Sequence, residues 1–123
     1  MPAKDANREL PLTPATLHVL LSLADGEKHG YAIIQEVAAR TGGEVQLGAG
    51  TLYALVKRLL EGGLIDESGD RPDPSMDDER RRYYRLTAFG RDVAIAEVKR
   101  LEDVVRQARA VRLFGRGMRR RTS

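Results

Sequence analysis

Apolar residues recur at helical spacing in four separate stretches of this chain, and between the third and fourth the spacing changes to alternation. In 50–65, GTLYALVKRLLEGGLI, the residues Leu52, Leu55, Val56, Leu59 and Leu60 mark one face of an amphipathic helix. Gly62-Gly63 stops that helix, because glycine tolerates the left-handed conformation of a C-cap, and Leu64-Ile65 opens a strand. Upstream, Thr13-Pro14 pairs an N-cap hydroxyl with proline at the first helical position. Leu17, Leu20, Leu21 and Ala24 then mark one face of a first helix, with Val19 and Leu23 on a second that is expected to meet a partner subunit, and Asp25-Gly26 ends it. A second helix follows His29-Gly30, carries Tyr31, Ile34, Val37 and Ala38, and ends at Thr41-Gly42-Gly43. A short connector, 44–49, leads to the third. Residues 1–12 show no periodicity and read as a flexible arm.

After Leu64 the residues to Ser68 suit a short strand, and 69–79, GDRPDPSMDDE, have the glycine, prolines and acids of a loop. Arg82, Tyr84 and Leu86 alternate with Arg81, Tyr83 and Arg85, which predicts a second strand and hence a hairpin with a long tip. Thr87 is the expected N-cap of a fourth helix running to about Leu113, ended by Gly115 and Gly117. Ala94, Val98, Leu101, Val105 and Ala108 step along it by four and three, the spacing of a packing seam. The predicted fold is mainly α with a small β-hairpin. A winged helix-turn-helix occupies 13–86, a C-terminal dimerisation helix 87–114 and a basic tail 115–123.

Three short helices and a hairpin place the third helix in a major groove and the hairpin beside it as the wing. The face opposite the apolar stripe of that helix carries Tyr53, Ala54, Lys57 and Arg58, with Thr51 at the entry, residue types that suit phosphates and base edges. Arg80, Arg81 and Arg82 can reach phosphate or the minor groove from the wing, though alternation lets only part of the trio face DNA and the acids at 77–79 compete for the rest. Tyr31 and Tyr84 read as packing residues. A solvated helix face is the rival reading for Lys57 and Arg58.

The length of 123 residues fits one domain, with an apolar fraction of 41%. Net charge is only +3, but no acid follows Asp103, and seven arginines from Arg106 to Arg121 occupy that stretch. For the last five residues a solvated tail is the simplest reading. Cysteine is absent, which excludes thiolate metal sites and disulfides. His18 and His29 lack companions at ligand spacing, and no nucleophile–base pair or phosphate-cradling glycine loop is present. The expectation is therefore no catalytic residue, no metal and no cofactor. No apolar run reaches membrane-spanning length and no secretory h-region opens the chain, so the expected compartment is the cytoplasm.

Taken as a set, HGY at 29–31, GTLY at 50–53, KRLLEGGLI at 57–65 and YYRLTAFG at 83–90 resemble the PadR family of bacterial transcription regulators. The resemblance covers roughly Thr13 to Gly90 in order and the long fourth helix in character. It implies a homodimeric winged-helix repressor that binds an imperfect palindrome of double-stranded DNA in a promoter. It also implies a small-molecule effector at the dimer interface, since many members respond to small aromatic or cationic ligands. Carried over, Thr51, Tyr53, Lys57 and Arg58 match the recognition helix, Gly30 and Tyr31 the start of the second helix in a structural role, and Tyr84, Leu86 and Thr87 the junction of wing and last helix. Departures are Ala54 where many members have proline, Leu60 in place of an acid, and no tryptophan. The last removes the model in which flat ligands are sandwiched between indole rings. One C-terminal helix matches the short subfamily. The reading from a different class is a winged-helix protein-interaction module that does not bind DNA. The outward Tyr53, Lys57 and Arg58 favour DNA, because a protein-docking face would be more apolar.

Overall fold

The computed structural model describes residues 5–72 and 80–115, with the backbone alone described at 70–72 and 80. Among these residues four α-helices accompany a three-stranded antiparallel sheet. The helices are α1 (Pro14–Ser22), α2 (Gly30–Arg40), α3 (Ala49–Glu61) and α4 (Ala88–Ala110). The strands are β1 (Lys28–His29), β2 (Ile65–Pro72) and β3 (Arg80–Leu86), in the order β1-β3-β2. This is the winged-helix arrangement predicted from the periodicity. The wing tip, with the acids at 77–79, and the tail from Arg116 lie outside the described residues.

Local chemistry sets most boundaries. Thr13 Oγ1 accepts from the Thr16 amide and His29 Nδ1 from the Ala32 amide, so a side chain caps α1 and α2. Three helices close with the same backbone motif. At α3, Gly63 takes a φ of 76° while the Leu64 amide reaches back to the Leu59 carbonyl and that of Gly63 to Leu60. At α2, Gly42 holds the equivalent place, its amide bonding the Ala39 carbonyl and that of Gly43 the Ala38 carbonyl. At α4 the left-handed residue is Arg112, with φ 57°, and the Leu113 amide bonds the Ala108 carbonyl. The helix therefore ends at Ala110, before the glycines expected to stop it.

One core unites the elements. Val19, Leu20 and Leu23 of α1 meet Ile33 and Val37 of α2, Leu52, Leu55, Val56 and Leu59 of α3, then Leu64, Ile65, Tyr84 and Val93. Three expectations change. Val19 and Leu23, read as a second face of the first helix, are buried in this core. Leu60 lies at the edge of the α3 stripe and is exposed. Ile33, rather than Tyr31 and Ile34, supplies the first buried apolar turn of α2.

Two elements escaped the periodicity. Residues Ala6–Glu9, read as part of a flexible arm, form a 3-10 turn capped by Asp5 and packed against α4. Lys28 and His29 pair with Tyr84 and Tyr83 and so add a third strand. The wing strands also run further than the short strand predicted, with a bulge between Glu67 and Gly69 that accommodates Ser68, where Gly69 takes a φ of 120°.

Candidate nucleic-acid interface

α2 and α3 pack against each other as the two helices of a helix-turn-helix, and burial separates the faces of α3 sharply. Leu52, Leu55, Val56 and Leu59 are buried, whereas Thr51, Tyr53, Ala54, Lys57 and Arg58 are all exposed. The helix begins at Ala49, with Gly48 as N-cap and no side-chain cap, so Thr51 lies inside its first turn rather than at its entry. With no side-chain cap, the first-turn amides lack the acceptor a capping residue would supply, the state in which helix starts accept anionic oxygens. Among the described residues neither Lys57 nor Arg58 engages a carboxylate.

Tyr53 is 56% exposed, yet its ring is not loose. It leans across the start of α2, where a Cβ placed on Gly30 would lie 3.3 Å from the Tyr53 hydroxyl and 3.2 Å from Leu52 Cδ2. Glycine at 30 thus lets the two helices approach at the point where Tyr53 leaves the core.

The arginines of β3 divide as alternation requires. Arg81 sits over the Tyr31 ring, its Cζ 5.2 Å from the centroid. Arg82 is exposed and its Nε lies 3.4 Å from Glu67 Oε1. The Arg80 side chain lies outside the described residues, as do the acids expected to pair with the trio. Tyr84 points into the core, and burial, reinforced by the charge of Glu67, pushes its phenol above the usual range. Tyr31 does not pack as expected: it is 52% exposed.

A second surface lies on α4. Val98, Leu101 and Val105 are exposed and Ala108 is partly so. Ile95 and Val104 are exposed as well, and the four-and-three spacing places neither in the seam. Ala94 is corrected: at 7% exposure it belongs to the core of its own chain, because its turn of α4 still lies over the domain. His18 lies within α1 and His29 caps α2, and no group of three or more His, Cys, Asp or Glu among the described residues could hold a metal ion. No helix among them is long and apolar enough to cross a membrane.

Comparison with known proteins bears on the same elements. The transcriptional regulator PadR-like family matches residues 19–96. A transcriptional regulator of Mycobacterium tuberculosis is 34% identical over 100 residues, covering 81% of this chain and 87% of that protein. An uncharacterised protein of Lysinibacillus sphaericus is 32% identical over 87 residues, 70% of this chain and 76% of its own. Among solved structures, a PadR family transcription regulator from Clostridium difficile superposes with a TM-score of 0.66 at 22% identity, covering 80% of this chain and 98% of that one. Bacillus subtilis PadR, in complex with operator DNA, gives a TM-score of 0.62 at 20% identity over 72% of this chain and 48% of that one.

Proposed function

We propose that this chain, which belongs to the PadR-like family of transcriptional regulators, acts as a homodimeric repressor that sets α3 into the major groove of a pseudo-palindromic promoter operator. The single observation that carries the reading is the two-faced α3: four buried aliphatic residues behind an exposed Thr51, Tyr53, Ala54, Lys57 and Arg58. A helix whose core side is fixed and whose basic, aromatic side is open can meet phosphates and base edges without repacking. The wing adds Arg81 and Arg82, and Arg80 continues the same strand. Operator DNA bound to a solved structure of this fold supports DNA as the partner.

The outer turns of α4 support dimerisation. Val98, Leu101 and Val105 are apolar, adjacent and uncovered by their own domain. Two recognition helices related by a two-fold axis would read half-sites about one helical turn apart. Because α4 is the element that joins the two heads, an effector seated at this interface would act by favouring one separation of the helices over another.

The test is operator binding by wild type and by K57A/R58A over a series of salt concentrations. The double variant should fold normally, since exposed substitutions rarely change stability by more than about 0.5 kcal/mol. Its salt slope should fall by about one for each phosphate that the variant no longer neutralises. Equal affinity and slope in a folded, dimeric variant would remove α3 as the reading helix.

A further inference from the structure

Two side chains on one face of β3 meet two side chains at the start of α2. Tyr83 stacks edge-on against His29, with ring centroids 5.4 Å apart, and two residues along the strand Arg81 covers Tyr31. The spacing of two on the strand matches the spacing of two across the β1–α2 junction, so the contacts form a short ladder that fixes the wing against the helix-turn-helix. Tyr31 and Tyr53 are both about half exposed, and the Tyr53 hydroxyl lies over Gly30, the residue next to Tyr31. A phenol from α2, a phenol from α3 and a guanidinium from the wing therefore converge on one turn of backbone.

We infer that Tyr31 and Arg81 form a second contact to the DNA sugar–phosphate backbone, on the strand that flanks the groove occupied by α3. The inference rests on the operator-binding reading of α3. In a helix-turn-helix the first helix of the pair crosses the backbone while the second enters the groove, which puts the start of α2 beside a phosphate. Tyrosine and arginine are both donors to phosphate oxygens. Core packing does not explain the exposed Tyr31 ring, because Gly30, Ile33 and Val37 form the buried side of α2. The ladder sets the position of the stacked guanidinium before DNA arrives, so little side-chain freedom is lost on binding. Arg82, on the other face of β3 beside Glu67, is left to the wing's own approach to the duplex. A backbone contact of this kind strengthens binding to any sequence and leaves base preference to α3.

The experiment uses the full chain and a duplex that the wild-type protein selects from a random-sequence pool, with an unrelated duplex of equal length beside it. Y31A, Y31F, R81A and R81K are titrated against both duplexes at several salt concentrations, with K57A/R58A as reference. Y31A and R81A should weaken binding to both duplexes by a similar factor, roughly three- to tenfold, leaving the ratio between them unchanged. R81A should reduce the salt slope by about one, and R81K, which keeps the charge and loses the stack, should retain it. Y31F should fall between wild type and Y31A. Tyr31 and Arg81 variants that bind with wild-type affinity and slope, while K57A/R58A does not bind, would overturn this inference and leave the α3 reading standing. So would an R81A variant that loses affinity at an unchanged salt slope, which would make the contact purely structural. A wild-type protein that selects no duplex would overturn both readings together. Should Y31A fail to fold, Y31F and R81K decide the matter.

Discussion

The Leu12 amide donates a hydrogen bond of 3.1 Å to the Glu97 carboxylate, which is 2% exposed and lies 85 residues further along the chain. Arg100 satisfies the same carboxylate from the next turn of α4, with Nε 2.6 Å from one oxygen and a terminal nitrogen 3.0 Å from the other. The segment leading into α1 is thereby latched to the long helix, and a buried charge keeps its partners. The hydrogen bond from Arg100 holds the Glu97 carboxyl below its ordinary value of 4.5; burial opposes this, and the Leu12 amide adds to it. A depressed folded-state value means stability that is fully present above about 4.5 and lost as pH falls through the lower folded value. E97A should cost roughly 1–3 kcal/mol at neutral pH, since it strips the partner from a part-buried amide and a guanidinium. The gap between wild type and E97Q in urea midpoint should narrow as pH drops below the carboxylate range. A gap that stays constant between neutral pH and pH ~3 would mean that the charge contributes nothing.

Gly90 is the most tightly enclosed glycine among the described residues. A Cβ there would lie 2.0 Å from the Leu64 carbonyl oxygen and 2.9 Å from Leu86 Cδ1. The first contact is with backbone, so rotamer changes cannot relieve it, and α4 would have to move off the strand. G90A should therefore destabilise by about 3 kcal/mol or more, at the upper end of overpacking costs. Gly50 is the control. It is also helical, but nothing lies within 4 Å of a Cβ added to it. G50A should be neutral or stabilising by up to ~1 kcal/mol. Thermal melts of the two variants, read side by side, test the geometry directly.

Thr87 joins the wing to the last helix. Its hydroxyl accepts from the Gly90 amide at 2.9 Å and donates to the Gly63 carbonyl at 2.7 Å, just past the end of α3. One side chain thus caps α4 and ties it to the end of α3. T87A should cost about 1–2 kcal/mol, the range for removal of an N-cap that leaves a carbonyl without its donor, and T87S should recover most of that. Chemical denaturation of the three proteins is sufficient, with T87S equal to T87A as the result that would contradict the assignment.

The parts of this fold that were legible in the sequence are those whose signal is local. The stripe of Leu52, Leu55, Val56 and Leu59, the Thr13 and Thr87 caps and the Gly62-Gly63 stop depend on residues within a few positions of one another. The missed parts depend on distant partners. Lys28 and His29 are a strand only because Tyr84 and Tyr83 lie beside them, and two residues carry no period. The 3-10 turn at Ala6–Glu9 is held by α4, which no pattern in the first twelve residues reveals. Periodicity misplaces Tyr31 because α2 is short: Ile33 and Ile34 both fit a helical stripe, and the choice between them is made by α3 packing through Gly30. Ala94 fits the seam by spacing, but the length of helix that lies over its own domain is a tertiary quantity. For the proposed interface, the outward set on α3 followed from the inward one, whereas the stacking of Arg81 on Tyr31 needed the register of β3.

The exposed stripe on α4 provides the test of the proposed dimer. Leu101 is 39% exposed and Val105 48% within one chain, so neither anchors the chain's own core, which on this helix is held by Val93 and Ala94. L101E/V105E should therefore give a monomer that keeps its helical signal and a cooperative melt, rather than an unfolded chain. Wild type at micromolar concentration should sediment with the mass of two subunits and the variant with that of one. Two half-sites held by a dimer bind far more tightly than one held alone, so the variant should also lose affinity for the operator by a factor of ~100 or more while its recognition helices stay intact. A wild-type mass of one subunit would sink the dimer. A dimeric variant would move the interface to Ile95 and the groove between α4 and the N-terminal turn, which is lined by Asn7, Leu10, Ile95 and Lys99.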